Sequence, residues 1–336
     1  MGRGANAVKI LVTGGGGFLG GAIVRRLIEH GYSVRTLARG DYPVLRDLGA
    51  ETMRGDIANY SAVETAVRGC GAVVHTAAKA GAWGPYLEYY DANVLGTQNV
   101  INACKRNGVQ KLVYTSTPSV AFADVDQEGA TEAAPYPEKF LAAYPRTKAI
   151  AEQLMLAANS EKLATVALRP HLIWGPGDTQ LGPRIIGRAR AGRLRIVGTG
   201  RQLVDATYVD NAAHAHVLAM DRLAPGAACA GKAYYITNGE PWPIADIMNG
   251  ILEATGVPPV TKRISPGLAY AAGMTLEAMY TVLRKKTEPP MTRFVARQLG
   301  TAHWYDISAA QRDLGYAPVV SMREGLERLK QSMQSA

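Results

Sequence analysis

Residues 8–39, VKILVTGGGGFLGGAIVRRLIEHGYSVRTLAR, constrain this chain more than any other stretch. Val8–Val12 is a short apolar run interrupted only by Lys9, the pattern of a strand covered on both faces. Ala22, Ile23, Leu27 and Ile28 share one face of a helix that Gly31 ends, and Ser33–Leu37 reads as a second strand. Between strand and helix, Gly14, Gly17 and Gly20 stand three apart, and Gly15, Gly17 and Gly20 also satisfy G-x-G-x-x-G. Such a turn lets a pyrophosphate approach the backbone, and it aims the free N–H groups of the helix N-terminus at that ligand. A bare glycine string says little. A strand before it and a helix after it make it a dinucleotide-binding turn.

The same beat recurs along the chain. Ala72–His75 and Lys111–Thr115 read as strands with helix-like Asn93–Arg106 between them, and Ala164–Leu168 follows as another strand. Strands separated by helical segments predict an α/β fold, a Rossmann-type doubly wound parallel sheet. After Pro170 the punctuation changes: WGPGD is a loop, Leu181–Ala191 is amphipathic and basic, and proline pairs flank a helical stretch near the end. We expect a dinucleotide-binding domain over 1–170, with core elements contributed from 205–240. A smaller substrate lobe over 171–336 then sits at the carboxyl ends of the strands, where open sheets bind their ligands. The length of 336 residues suits that division.

Composition narrows the function classes. The chain is 47% hydrophobic and 19% charged, which excludes intrinsic disorder. Its net charge of +9 suits an anionic ligand, an acidic partner or a membrane surface. Aromatic residues do not interleave the basic ones, so nucleic acid is not expected. The opening residues lack a signal-peptide core, and no apolar run is long enough to span a membrane. Cys70, Cys104 and Cys229 are odd in number and far apart, which argues against disulfides and a cysteine zinc site. A cytoplasmic protein is the expectation. His214 and His216, two apart on a helical pattern, point to different faces, and no metal is expected.

Arg39 ends the second strand where an NAD site places an acidic residue for the ribose 2′-hydroxyl, and an arginine accommodates a 2′-phosphate instead. NADPH is therefore the expected cofactor. Asp56, after the third strand, is placed to meet the adenine amino group. Tyr144 and Lys148 are spaced i, i+4 at the start of a helical stretch, which brings them to one face. A nearby ammonium lowers a phenol's pKa, so the pair is expected to pass a proton at neutral pH. Among 16 tyrosines the spacing alone is weak. Its position carries the weight, four strand–helix beats after the glycine turn and just after the hydroxyl cluster Thr115, Ser116 and Thr117.

Six motifs fall in order: TGGGGFLG, DANVLGT, YTSTPSV, YPRTK, LRPHLIWGPGD and YVDN. Together they resemble the extended short-chain dehydrogenases over nearly the whole chain. EPPMTR (288–293) and AQRDLGYAP (310–318) resemble the 3β-hydroxysteroid dehydrogenase branch. Within it, AAKAGAWGPY, VYTSTPSV, LIWGPGD and TRFVARQL resemble the bacterial reductases of 2-alkyl-3-oxoalkanoates in long-chain olefin biosynthesis.

The resemblance implies Tyr144 as general acid, Lys148 on the nicotinamide ribose, and Asn93 as support for a proton-relay water. It implies Thr117, with Ser116 as its rival, as the hydroxyl that polarises the carbonyl. It further implies cofactor contacts at Gly14, Gly17, Phe18, Leu19, Gly20, Ile57, Ala77, Ala78, Lys148 and Pro170. A homodimer and a long-chain small-molecule substrate also follow from it. Arg169, Arg184 and Arg293 are candidates for a substrate carboxylate. The alternatives are a sterol dehydrogenase and, from another class, an NADPH-binding scaffold or sensor.

One stretch remains open. Leu268, Ala271, Ala272, Leu276, Met279 and Leu283 recur at helical spacing before Arg284, Lys285 and Lys286. That pattern fits a core or lid helix near 266–286. It equally fits an interfacial helix that meets a membrane or a pathway partner.

Overall fold

The computed structural model describes residues 8–285 and 287–334. Its frame is a seven-stranded parallel sheet. In chain order the strands are β1 (Lys9–Thr13), β2 (Ser33–Ala38), β3 (Glu51–Arg54), β4 (Ala72–His75), β5 (Lys111–Thr115), β6 (Ala164–Pro170) and β7 (Lys232–Ile236). They lie side by side as β7-β6-β5-β4-β1-β2-β3, a Rossmann-like order. Strand order reverses between β1 and β4, whose registers pair Ile10 with Ala72 and Thr13 with His75. The crevice beyond these two carboxyl ends is the switch point where open sheets take their ligands.

Alternation along each strand feeds two cores. Ile10 and Val12 of β1 face one side, where α1 (Phe18–Glu29) and α6 (Val209–Arg222) bring Ile23, Val24, Leu27, Ala213 and Val217. Leu11 faces the other side, where α2 (Tyr60–Val67), α3 (Gly96–Arg106) and α4 (Ala143–Ala157) bring Val63, Val100 and Met155. The segment entering α3 is not plain α-helix: Tyr90–Leu95 forms a π-helical turn that carries Asn93. Such turns are frequent at functional sites.

A third core joins the C-terminal elements α5 (Leu181–Arg190) and α7 (Ile244–Ala254) around Trp174, Ile185, Tyr208, Ile247 and Met248. A small sheet beside it orders Trp242–Pro243, Leu203–Val204, His303–Tyr305 and Gln127–Ala130. These strands of two to four residues carry no readable period.

Helix α8 (Pro266–Val282) packs on α9 (Arg293–Gly300), but not through the apolar stripe its sequence suggests. Its buried residues are Ala269, Gly273 and Glu277. A Cβ on Gly273 would stand 2.6 Å from the Thr292 carbonyl carbon, so the close seam requires glycine. Glu277 Oε2 accepts from Arg293 Nε at 2.6 Å. Leu268, Met279 and Leu283 are exposed. The core-helix reading of the stripe is therefore wrong. Small residues and an ion pair seat the helix; Leu268, Met274, Met279 and Val282 face outward, while Leu276 is half-buried. Lys286 lies outside the described residues.

Candidate active site

The glycine turn is shaped by contact at both ends. Gly14 has φ +73°, and a Cβ on it would lie 2.8 Å from Ala77 N, across the β1–β4 crevice. A Cβ on Gly20 would lie 2.1 Å from Gly14 O, so α1 can approach β1 only at a glycine. Gly17 caps α1 without a side-chain hydrogen bond, which leaves the N–H groups of its first turn, at Phe18, Leu19 and Gly20, uncapped by any side chain. That cradle fits a pyrophosphate.

Arg39 stands exposed at the end of β2, with no hydrogen-bond or ion-pair partner among the described residues. Asp56 is exposed too, and its Oδ1 accepts from Ala58 N at 2.9 Å. This turn contact leaves its second oxygen outward. Ile57 is buried against Gly96, where an added Cβ would meet its side chain at 2.6 Å. Ala77 N donates to Thr13 Oγ1 at 3.3 Å, Ala78 lies exposed just beyond, and Pro170 is buried at the end of β6. All but Pro170 line or flank the mouth between β1, β2 and β4.

The proposed proton-transfer residues meet one element over. Pro145 falls in the first turn of α4, where its missing N–H costs nothing. One turn on, Lys148 is only 2% exposed. Its Nζ donates to the Thr115 carbonyl at 2.6 Å and sits 4.1 Å from the Tyr114 ring centroid. Burial pulls its pKa down to about 7, with Glu152 opposing. The Tyr144 hydroxyl behaves differently from the sequence expectation. Burial pushes its pKa up, and the opposing influence is the Thr117 hydroxyl rather than the Lys148 ammonium. The phenol therefore holds its proton at neutral pH, as a donor to a carbonyl must.

The two candidate hydroxyls separate cleanly. Thr117 Oγ1 pulls the Tyr144 pKa down against burial, and it donates to Ser119 Oγ at 3.3 Å. Ser116 Oγ is buried with no partner, while its N–H donates to Leu168 O at 2.6 Å. Ser116 thus ties β5 to β6, and Thr117 faces the acid.

Asn93 is held by three hydrogen bonds. Its Oδ1 accepts from Lys79 N at 2.7 Å, and its Nδ2 donates to Lys79 O at 3.1 Å and to Thr147 Oγ1 at 3.0 Å. These bonds clamp the segment after β4 to the helix that carries Tyr144 and Lys148, which positions Asn93 beside them. A buried chain extends from it: Thr97 Oγ1 donates to Asn93 O at 2.6 Å, His75 Nε2 meets Thr97 Oγ1 at 3.0 Å, and Nδ1 meets Thr13 Oγ1 at 2.6 Å. Burial, then Lys148, hold His75 neutral, with a pKa near 3.

None of the three arginines expected to meet a substrate carboxylate is free. Arg169 is buried in a bidentate pair with Glu152, at 3.0 and 2.6 Å. Arg184 grips Glu288 at 3.1 and 2.8 Å, and Arg293 holds Glu277. The sequence reading passed over Glu152, although it follows Lys148 by one helical turn and so had to lie on the same face. Gln298 was also missed. Its Nε2 donates to Ser119 Oγ at 3.3 Å, which links the C-terminal lobe to the segment that carries Thr117.

A Rossmann-like sheet with a glycine turn at its switch point and a Tyr–Lys pair beside a hydroxyl defines a nicotinamide-dependent oxidoreductase of the extended short-chain type. The profile of the 3-beta hydroxysteroid dehydrogenase/isomerase family matches residues 11–264, and this chain belongs to that family. It is 57% identical to a 2-alkyl-3-oxoalkanoate reductase of Stenotrophomonas maltophilia, over 97% of this chain and 99% of that one. It is 36% identical to the decarboxylating sterol-4-alpha-carboxylate 3-dehydrogenase of Mus musculus, over 98% of this chain and 91% of that one. Among solved structures, MoeE5 in complex with UDP-glucuronic acid and NAD superimposes with a TM-score of 0.73 at 27% identity, covering 97% and 99% of the two chains.

Proposed function

We propose that this protein is an NADPH-dependent reductase of a 2-alkyl-3-oxoalkanoate, giving the 2-alkyl-3-hydroxy acid. The observation that carries the reaction type is the placing of Tyr144, Lys148 and Thr117 together at the carboxyl end of β5, with Lys148 Nζ on the Thr115 carbonyl and burial raising the phenol's pKa. The two relatives' names support the substrate class. A 2-alkyl-3-oxoalkanoate and a sterol-4-carboxylate share one unit, an oxygenated carbon next to a carbon bearing a carboxylate.

The reduced nicotinamide, when bound, supplies the hydride. Gly14, Gly17 and Gly20 admit its pyrophosphate to the α1 N-terminus, and the unpaired Arg39 supports a 2′-phosphate and hence NADPH. Tyr144 Oη delivers its proton to the carbonyl oxygen, and Thr117 Oγ1 donates a hydrogen bond to the same oxygen as charge develops. Lys148, poised near neutrality, returns a proton toward the phenol.

A place in long-chain olefin biosynthesis rests on the sequence resemblance, as does a homodimeric working form. Three buried free cysteines support a reducing, cytoplasmic setting. Among the described residues no helix is long and apolar enough to cross a membrane. The outward side of α8 instead supports peripheral contact with an anionic lipid surface. Leu268 is 61% and Val282 81% exposed, and Arg284 and Lys285 follow directly.

The test runs the reaction backwards: NADP with a racemic 2-alkyl-3-hydroxy long-chain acid, beside a 3β-hydroxysteroid, with absorbance of the reduced cofactor as readout. Turnover of the acid is expected. Turnover of the steroid alone overturns the substrate assignment.

A further inference from the structure

Beneath the C-terminal lobe lies a cavity of about 200 Å³. Its walls are mostly apolar, with Leu181, Ile185, Leu194, Ile247, Met248 and Leu299 among them. Gln298 also lines it, and the same side chain donates to Ser119 Oγ, next to Thr117. Gln298 therefore connects the cavity wall to the Ser119 hydroxyl beside Thr117.

Three charged side chains reach its wall: Arg184, Arg188 and Glu288. Arg184 and Glu288 satisfy each other in a two-point pair. Arg188 is left over. Its guanidinium makes no hydrogen bond or ion pair among the described residues, although the side chain is half-buried in the last turn of α5. Burial and the neighbouring Arg184 press against its charge, and Glu288 only partly offsets them. His303, the remaining titratable group on the wall, is held neutral by burial, with a pKa near 4, and its Nδ1 has no partner. The cavity thus carries one uncompensated positive charge in an apolar lining. A semi-buried guanidinium without a partner is costly, and a planar carboxylate offers it a two-point match.

We propose that Arg188 is the specificity-determining residue that pairs with the carboxylate of an amphiphilic monoacid whose alkyl chain fills this cavity. The proposal rests on the β-oxo acid reading above and names the group that recognises the acid. One charge left over selects one carboxylate. The apolar lining selects an alkyl neighbour over a sugar or a nucleotide.

Binding and turnover test it separately. Calorimetry with 2-hexyldecanoate, and with the matched alcohol 2-hexyldecan-1-ol, reads recognition without any redox step. In the wild-type protein loaded with NADP, the acid should bind at least 30-fold more tightly than the alcohol. R188Q should lose that preference while keeping the alcohol affinity, which also reports an intact cavity. R188K should recover part of the acid affinity. In turnover of the 2-alkyl-3-hydroxy acid, R188Q should raise KM far more than it lowers kcat.

Equal acid affinity in wild type and R188Q overturns the assignment of Arg188. If the hydroxy acid is turned over all the same, the reductase reading stands without it. Arg188-dependent acid binding with no turnover of the hydroxy acid keeps the carboxylate site and overturns the reductase reading instead. Should R188Q lose alcohol binding as well, R188K decides. Acid affinity lost in R188K, with the alcohol still bound, contradicts the proposal.

Discussion

Lys148 Nζ donates to the backbone carbonyl of Thr115 across 2.6 Å, and this bond pins the catalytic helix to the end of β5. It fixes the distance between Tyr144, one turn earlier, and Thr117, two residues later. One of the three donors of the ammonium is thus committed to holding the scaffold. The influence that lowers the phenol's pKa comes from Thr117 instead.

That arrangement separates the two hydroxyl candidates. T117A should lower kcat about 100-fold through loss of a donor to the developing oxyanion. S116A removes a buried hydroxyl that has no partner, so activity should stay within about threefold and stability should hold. Steady-state kinetics of both variants decide between them. Equal damage from both would contradict the assignment.

Arg39 is predicted to set cofactor preference. Removing a charge-assisted contact to the 2′-phosphate should raise KM for NADPH about tenfold or more in R39A, with little change for NADH. The ratio of kcat/KM for the two cofactors is the readout. An unchanged ratio would show that the arginine is only a surface charge.

Lys148 makes stability depend on pH. Its pKa is near 7 when folded and falls from an ordinary lysine value of 10.5. Between those values the unfolded chain binds the extra proton, so stability should rise with pH across that window. Below about pH 7 the full burial penalty applies. Thermal melts of the cofactor-free protein should show the rise, and K148M should flatten it. Parallel pH profiles for the two proteins would rule out Lys148 as its source.

The outward face of α8 predicts sedimentation with vesicles containing anionic phospholipid, and less with neutral ones. R284E/K285E should cut that binding about tenfold or more, since each basic residue near such a surface contributes on the order of 1 kcal/mol. Turnover of a soluble short-chain substrate should stay unchanged. Vesicle binding that is indifferent to the charge reversal would remove the lipid-surface reading.

Much of the frame was legible because its signals are local. β1, β4 and β5 are apolar runs bounded by turns, and the glycine spacing that starts α1 is written in consecutive residues. Tyr144, Lys148 and the hydroxyl cluster were found the same way. What escaped depends on pairings between distant segments. Sequence placed core elements within 205–240, but the position of β7 at the sheet edge follows only from its pairing with β6, Lys232 opposite Val166. The π-helical turn at Asn93 has no spacing of its own. The outward face of α8 could not be read from hydrophobicity, because Gly273 and the Glu277–Arg293 pair decide which side is buried. The three arginines first matched to a carboxylate failed for the same reason. Their partners Glu152, Glu288 and Glu277 lie 17, 104 and 16 residues away.

The most direct test of the central claim is Y144F, measured for NADPH affinity by fluorescence titration and for reduction of a 2-alkyl-3-oxo acid in a single turnover. The account predicts cofactor affinity close to wild type and a rate at least about 1000-fold lower, the loss expected for a general acid. Turnover near the wild-type rate, with NADPH bound, would contradict it.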